Sequence, residues 1–191
     1  MPAEFKNVHS EHIKACFLRA YQRFPKLHAH RVVLHQRRMD KTTMNAQPIV
    51  NRYFFLRKRR QYRVNVSNNM HLKSKINIHE LPEDVLVGWF AHELGHIYDY
   101  LYRSAFGLIR FGLGYLWLGN FRTGAERKAD IFAIDRGFGH EILATKTFIL
   151  EHSNLPDKYK KRISLYYMSP DEVALMVEGK ERDDLRMDRL L

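Results

Sequence analysis

The chain has 191 residues, 45% hydrophobic and 28% charged, a balance that supports a packed core and excludes wholesale disorder. That length fits one domain able to bury a core without staples, and the lone Cys16 excludes an internal disulfide framework. Thirty-two Lys and Arg against 21 Asp and Glu give a formal charge of +11, a field that favours acidic partners such as nucleic acid or anionic lipid.

The opening "MPAEFKNVHSEHIK" lacks the basic-then-apolar pattern of a secretory signal, so a cytoplasmic, reducing compartment is expected. Ile13, Cys16, Phe17, Ala20, Tyr21 and Phe24 recur at helical spacing, with Ser10 able to cap the start and Pro25 marking the end. "HRVVLHQRR", "PIVNRYFFL", "YRVNVSN" and "KINIH" are β-branched and aromatic runs between polar breaks, which predicts a meander of three or four strands ending near His79. Within it, "RYFFLRKRRQYR" (52–63) interleaves bases with aromatics. This suits phosphates and stacked bases, but no nucleic-acid motif accompanies it, and a solvated hairpin rim is the favoured reading.

"LPEDVLVGWFAHELGHIYDYLY" predicts a helix with Pro82, Glu83 and Asp84 in its first turn. Its apolar residues spread so far around the axis that most of the helix must be buried. Residues 105 to 119 are almost wholly apolar but fall short of the roughly 20 residues a spanning helix needs. A buried hairpin is favoured there over a membrane-touching segment. After a break from Gly119 to Gly124, "AERKADIFAIDRGFG" reads as a helix with an alanine face. Further helices follow near 140–151, 157–167 and 169–179, the last with Ser169 as cap, Pro170 after it and Glu172 three residues on. The final residues, 181–191, read as a charged tail.

Two histidines four apart lie one turn above each other on a helix, so His92 and His96 can aim at a single metal ion. Glu93, beside the first, can accept a proton from bound water instead of ligating. A catalytic zinc site takes three protein ligands and leaves one position open. Glu126 is the candidate third ligand, and Asp130, one turn further along, can accept the second N–H of a ligand histidine, most simply that of His92. Among the other histidines, His28, His30 and His35 alternate on a predicted strand, but scattered polar positions are favoured over a second metal site. Asp99 reads as helix-surface charge.

"HELGH" followed by "E-x-x-A-D" resembles the gluzincin clan of zinc metallopeptidases, especially the family that includes the heat-shock membrane proteases and the CaaX-processing proteases. The likeness runs from about Leu81 to Gly137, under a third of the chain. It implies a strand that lies along an extended peptide above the zinc, which by position matches "KINIH" (75–79); the Asn-Ala dipeptide that such proteases often carry occurs in "MNAQP" (44–48), too far upstream to be carried over to this role. The family's C-terminal His-Pro element and following Arg are replaced here by "NLPDKYKKRI", so the group that steadies the oxyanion could be Arg162, Tyr166, Tyr167 or His152. Relatives that carry transmembrane helices between the two motifs differ from this chain, which suggests a soluble or peripheral member.

The expectation is an α+β, zincin-like single domain over 1–191, with a helix and a small, mainly antiparallel sheet in about 1–80 and a helical part carrying both motifs in 81–180. The expected activity is a zinc-dependent metalloendopeptidase with one zinc ion on His92, His96 and Glu126, Glu93 as general base, and a peptide or protein substrate. The alternative is a non-proteolytic zinc-binding interaction module with a basic surface that contacts nucleic acid or membrane.

Overall fold

Burial of the HELGH helix organises the chain. The computed structural model describes residues 2–39, 42–68, 76–151 and 155–188. Helix α2 (Glu83–Tyr100) is buried at every residue from Val85 to Tyr100. A helix that is apolar on all sides is stable only when other elements surround it. Here α1 (Glu11–Gln22), α4 (Gly119–Asp135), α5 (Gly139–Glu151) and strand β3 (Met44–Pro48) do so.

Two glycines let α2 be enclosed this tightly. A Cβ on Gly88 would stand 2.1 Å from the carbonyl oxygen of Glu141 in α5, and one on Gly95 would stand 2.5 Å from that of Ala129 in α4. Ala129, on the buried alanine face of α4 (Ala125, Ala129, Ala133), is the residue at this close approach. At the start of α2, Glu83 and Asp84 sit at the positive end of the helix. At its end, the Arg60 guanidinium donates to the carbonyls of Tyr100 (3.3 Å) and Arg103 (2.9 Å), and Arg57 donates to that of Leu101 (2.6 Å).

The sheet has the order β1-β2-β4-β3, with β1 Glu4–Lys6, β2 Val32–Gln36 and β4 Tyr62–Val66. It is not the mainly antiparallel meander the sequence predicts. β1, β2 and β4 run parallel and only β3 is antiparallel, to β4. α1, capped by Ser10 as predicted (3.3 Å to the Ile13 amide), crosses over between β1 and β2, and a helical crossover joins parallel strands; β2 and β4 are parallel because the chain passes through β3 at the far edge before it returns as β4. Two predicted strands are absent. "PIVNRYFFL" leaves β3 at Pro48 and runs into a turn over Arg52–Phe55. Of "KINIH", Lys75 lies outside the described residues and Ile78–Glu80 is a short 3-10 helix.

The 52–63 segment is the long connection of the β3–β4 hairpin running into β4, and Arg52 and residues 55–59 are exposed on it, as the rim reading expects. It passes through a 3-10 helix (Arg57–Arg59) into β4, but Arg60 within it is 1% exposed because α2 recruits it. The apolar run 105–119 is not a buried hairpin. It forms α3 (Ala105–Trp117), which buries Ala105, Leu108 and Phe111 and exposes its other face, and α4 begins directly at Gly119 rather than after a break. Helices α5, α6 (Asp157–Tyr166) and α7 (Pro170–Asp188) complete the chain, α7 continuing well past Gly179 into the segment read as a tail. Among the described residues no helix is long and apolar enough to cross a membrane.

Candidate metal centre

Helical geometry places His92 and His96 on one face of α2, and the close approach at Gly95 brings α4 against that face. Glu126 therefore meets both rings: its Oε2 lies 3.1 Å from Nε2 of His92 and 3.2 Å from Nε2 of His96. One donor atom from each of the three residues falls within 4.8 Å of the others, and all three residues are buried. His92, His96 and Glu126 thus form a group that could hold a metal ion; it is the only such group among the described residues. Two imidazoles and a carboxylate suit zinc and its first-row neighbours, so the donor set fits a divalent cation without fixing its identity.

A layer of fixed partners surrounds the group. Nδ1 of His92 donates to Oδ1 of Asp130 at 2.7 Å, which leaves Nε2 to face Glu126. Asp130 is fully buried. Its Oδ2 accepts from Nζ of Lys146 (2.7 Å) on α5 and from the amide of Met168 (3.4 Å). Oε1 of Glu126 accepts from the hydroxyl of Tyr115 on α3. Burial works against the Glu126 and Asp130 carboxylates, but the histidines, and Lys146 for Asp130, hold both below the usual carboxylate range. Burial also works against a charged His92, yet Asp130 and Glu126 outweigh it and hold the ring up at about 10. The arrangement favours positive charge at this point, whether carried by a proton or by a metal.

Glu93 differs from these acids. Its carboxyl accepts a backbone hydrogen bond from Ala46 of β3, but Oε2 is buried with no partner, and burial pushes its pKa up. The carboxyl faces a cleft of about 780 Å³, whose lining includes His92, His96, Glu126, the β3 segment Thr43–Pro48, and Leu113 and Tyr115 of α3. The strand bordering the cleft is therefore β3, with Asn45-Ala46, not "KINIH". β3 is the last strand of the sheet, paired with β4 on one side only, and the chain between β3 and α2 is used for β4. β4 therefore lies in the chain between Asn45-Ala46 and the helix this dipeptide faces.

Arg162, Tyr166 and Tyr167 all line the cleft. The Tyr167 ring lies 5.3 Å from that of His92, and Nζ of Lys146 lies 4.4 Å from the Tyr167 centroid. His152 lies outside the described residues. His28 and His30 are spent on backbone carbonyls of Tyr21 and Arg60 and do not gather with His35. Asp99, read as surface charge, is 6% exposed and paired with Arg103 (2.6 Å) and Lys128 (2.6 Å).

Sequence reasoning missed Lys146 and Tyr115. Lys146 carried a signal, as the lone cation of "ILATKTFIL", with Ile142 and Ile149 on the same helical face. Nothing in "FGLGYLW" singles out Tyr115. Comparison with protein-family models, with curated proteins and with solved structures gives no match.

Proposed function

We propose that the protein is a metal-dependent hydrolase of peptide bonds, a gluzincin-like metallopeptidase in which His92, His96 and Glu126 hold zinc and Glu93 is the general base. The observation that carries this reading is the buried, unpartnered Oε2 of Glu93, one residue from a metal-holding group and facing an open cleft. An orphaned carboxylate oxygen is costly in a purely structural role, and in a hydrolase it is where a proton is received.

When bound, the metal supplies Lewis acidity, which polarises an amide carbonyl and acidifies water. The chain's own residues then divide the work. The β3 edge along Thr43–Pro48 offers an extended peptide a wall beside the donor group. Glu93 takes a proton from water in the cleft and returns it to the departing amine; burial raises its proton affinity towards the range where it can do both. Asp130 fixes the tautomer of His92, and Lys146 holds Asp130 in place. Arg162, Tyr166 and Tyr167 are the groups at hand to steady negative charge on the carbonyl oxygen.

The test is metal content and hydrolysis of a denatured protein substrate, for wild type, Glu93→Gln and Glu126→Ala. The expected result is about one zinc in wild type and Glu93→Gln, loss of most of it in Glu126→Ala, and cleavage by wild type alone. Zinc binding with no cleavage of any denatured or peptide-library substrate leaves the rival reading, a metal-stabilised interaction module. Failure to bind metal removes both.

A further inference from the structure

α3 shows two unlike faces. Inward it buries Ala105, Leu108 and Phe111; outward it presents Phe106 (76% exposed), Ile109, Leu113, Leu116 and Trp117 (80% exposed). Phe55 packs edge-on to Phe106, their ring centroids 6.2 Å apart, and extends this surface with its exposed neighbour Leu56. So many large apolar side chains in one exposed patch mark an interaction surface rather than incidental exposure.

The two segments that build the patch carry charge of one sign. The sequence has no Asp or Glu from Lys41 to His79 or from Leu101 to Ala125, the two stretches that build it. Arg52, Lys58, Arg59 and Arg110 are exposed within those stretches. We infer that this face docks on an anionic lipid bilayer, the α3 stripe and Phe55 entering the interface while Arg52, Lys58, Arg59 and Arg110 meet lipid headgroups.

The pattern selects this occupant. A second copy of the chain would bring two like-charged faces together with no acid within those stretches to pair them. Nucleic acid would satisfy the bases but leave Phe106, Leu113 and Trp117 in water. A bilayer surface meets both needs, and an apolar insertion combined with a basic patch is the two-signal combination that makes peripheral binding stable. Trp117 has the amphipathic ring favoured at headgroup depth, and α3, with 13 residues, is too short to cross. Ile109, Leu113 and Leu116 also line the cleft, so docking brings the cleft mouth to the bilayer. The inference goes beyond the hydrolase reading and does not depend on it.

The test uses the full chain, without added metal, and vesicles of phosphatidylcholine alone or with about one quarter phosphatidylglycerol. Co-sedimentation is expected to be at least about tenfold tighter on the anionic vesicles, and to weaken about tenfold or more in Arg52→Glu/Lys58→Glu/Arg59→Glu and in Phe106→Ser. Tryptophan fluorescence should shift to the blue and be quenched by bilayer-embedded brominated lipid. That response should vanish in Trp117→Phe, because the other tryptophan, Trp89, is buried. Three results each overturn the proposal: no sedimentation with anionic vesicles at low ionic strength, sedimentation without quenching, or a dimer in solution that Phe106→Ser dissolves.

Discussion

Gly95→Ala tests whether the approach of α4 to α2 sets the metal centre. The added Cβ would lie 2.5 Å from the Ala129 carbonyl oxygen and 3.1 Å from that residue's C and Cα. Ordinary contact begins near 3.5 Å, so α4 has to retreat by about 1 Å, and since the opposing atoms are backbone no rotamer relieves the strain. Overpacking of this kind costs about 1–3 kcal/mol. A rigid backbone neighbour places it at the upper end, and the helix propensity of Ala offsets about 1 kcal/mol. The net loss is about 2 kcal/mol, or roughly 4–8 °C in Tm for a chain of this size. Ala129 is one turn beyond Glu126, so the retreat also draws Oε2 away from the two histidines it now meets at 3.1 and 3.2 Å. Metal affinity should fall at least about tenfold. Gly124→Ala on the same helix is the control: a Cβ there meets nothing within 4 Å, so it should gain up to about 1 kcal/mol and keep its metal. Urea unfolding followed by circular dichroism, together with metal titration against a chelator, reads both effects. A Gly95→Ala protein as stable as wild type and unchanged in metal affinity refutes the reasoning.

Two other perturbations separate partners of the centre from distant ties. Lys146→Met leaves the buried Asp130 carboxylate without its cation and should cost about 3–5 kcal/mol, whereas Lys146→Met/Asp130→Asn should recover much of that stability while metal affinity stays about 10–100-fold down; unfolding and metal titration of both variants decide it. Glu172 is held down to about 2 by Arg127 and by its cap with the Ser169 amide, against an ordinary 4.5. A carboxyl lowered by folding stabilises above its unfolded pKa, so its contribution should be whole above about pH 4.5 and lost as pH falls towards 2. Both partners are more than a third exposed, which limits the effect to about 1 kcal/mol or less. Glu172→Gln should flatten that part of the stability curve measured by urea unfolding between pH 2 and 5, and an unchanged curve would show that the pair contributes nothing.

What could be read from the sequence follows the range of the forces involved. α1 and the cap of α7 are written in local spacing and capping residues, and both form where the pattern places them. The close set of His92, His96, Glu126 and Asp130 was legible because helical periodicity fixes which residues share a face, leaving only one long-range step, the meeting of α2 and α4. The sheet was not legible. β1 is three exposed residues whose only support is parallel pairing with β2, and β3 is a run with a proline that carries no strand pattern of its own. Arg60 was misread for a related reason: its charge predicts solvent, but the free carbonyls at the end of α2 are worth more to it than water, and they lie about 40 residues downstream. The exposed half of α3 shows the opposite error, since a run of apolar residues predicts burial only if something is there to cover both faces.

α2 and α4 carry four buried acids, and their partners divide them. Asp99 has Arg103 and Lys128, Asp130 has Lys146 and His92, and Glu126 has both histidines and Tyr115. Glu93 has one backbone hydrogen bond and an unpartnered oxygen. Each of the first three is matched to a fixed positive or donating group, so its charge is stabilised where it stands. Only Glu93 is left with its desolvation largely uncompensated, and only its pKa moves upward among Glu93, Glu126 and Asp130. Acids whose environments push their pKa values apart are the ones that take different roles. For the proposed hydrolase this is the division required: two acids held ionised, one to orient His92 and one to ligate, beside a third that exchanges a proton with the cleft.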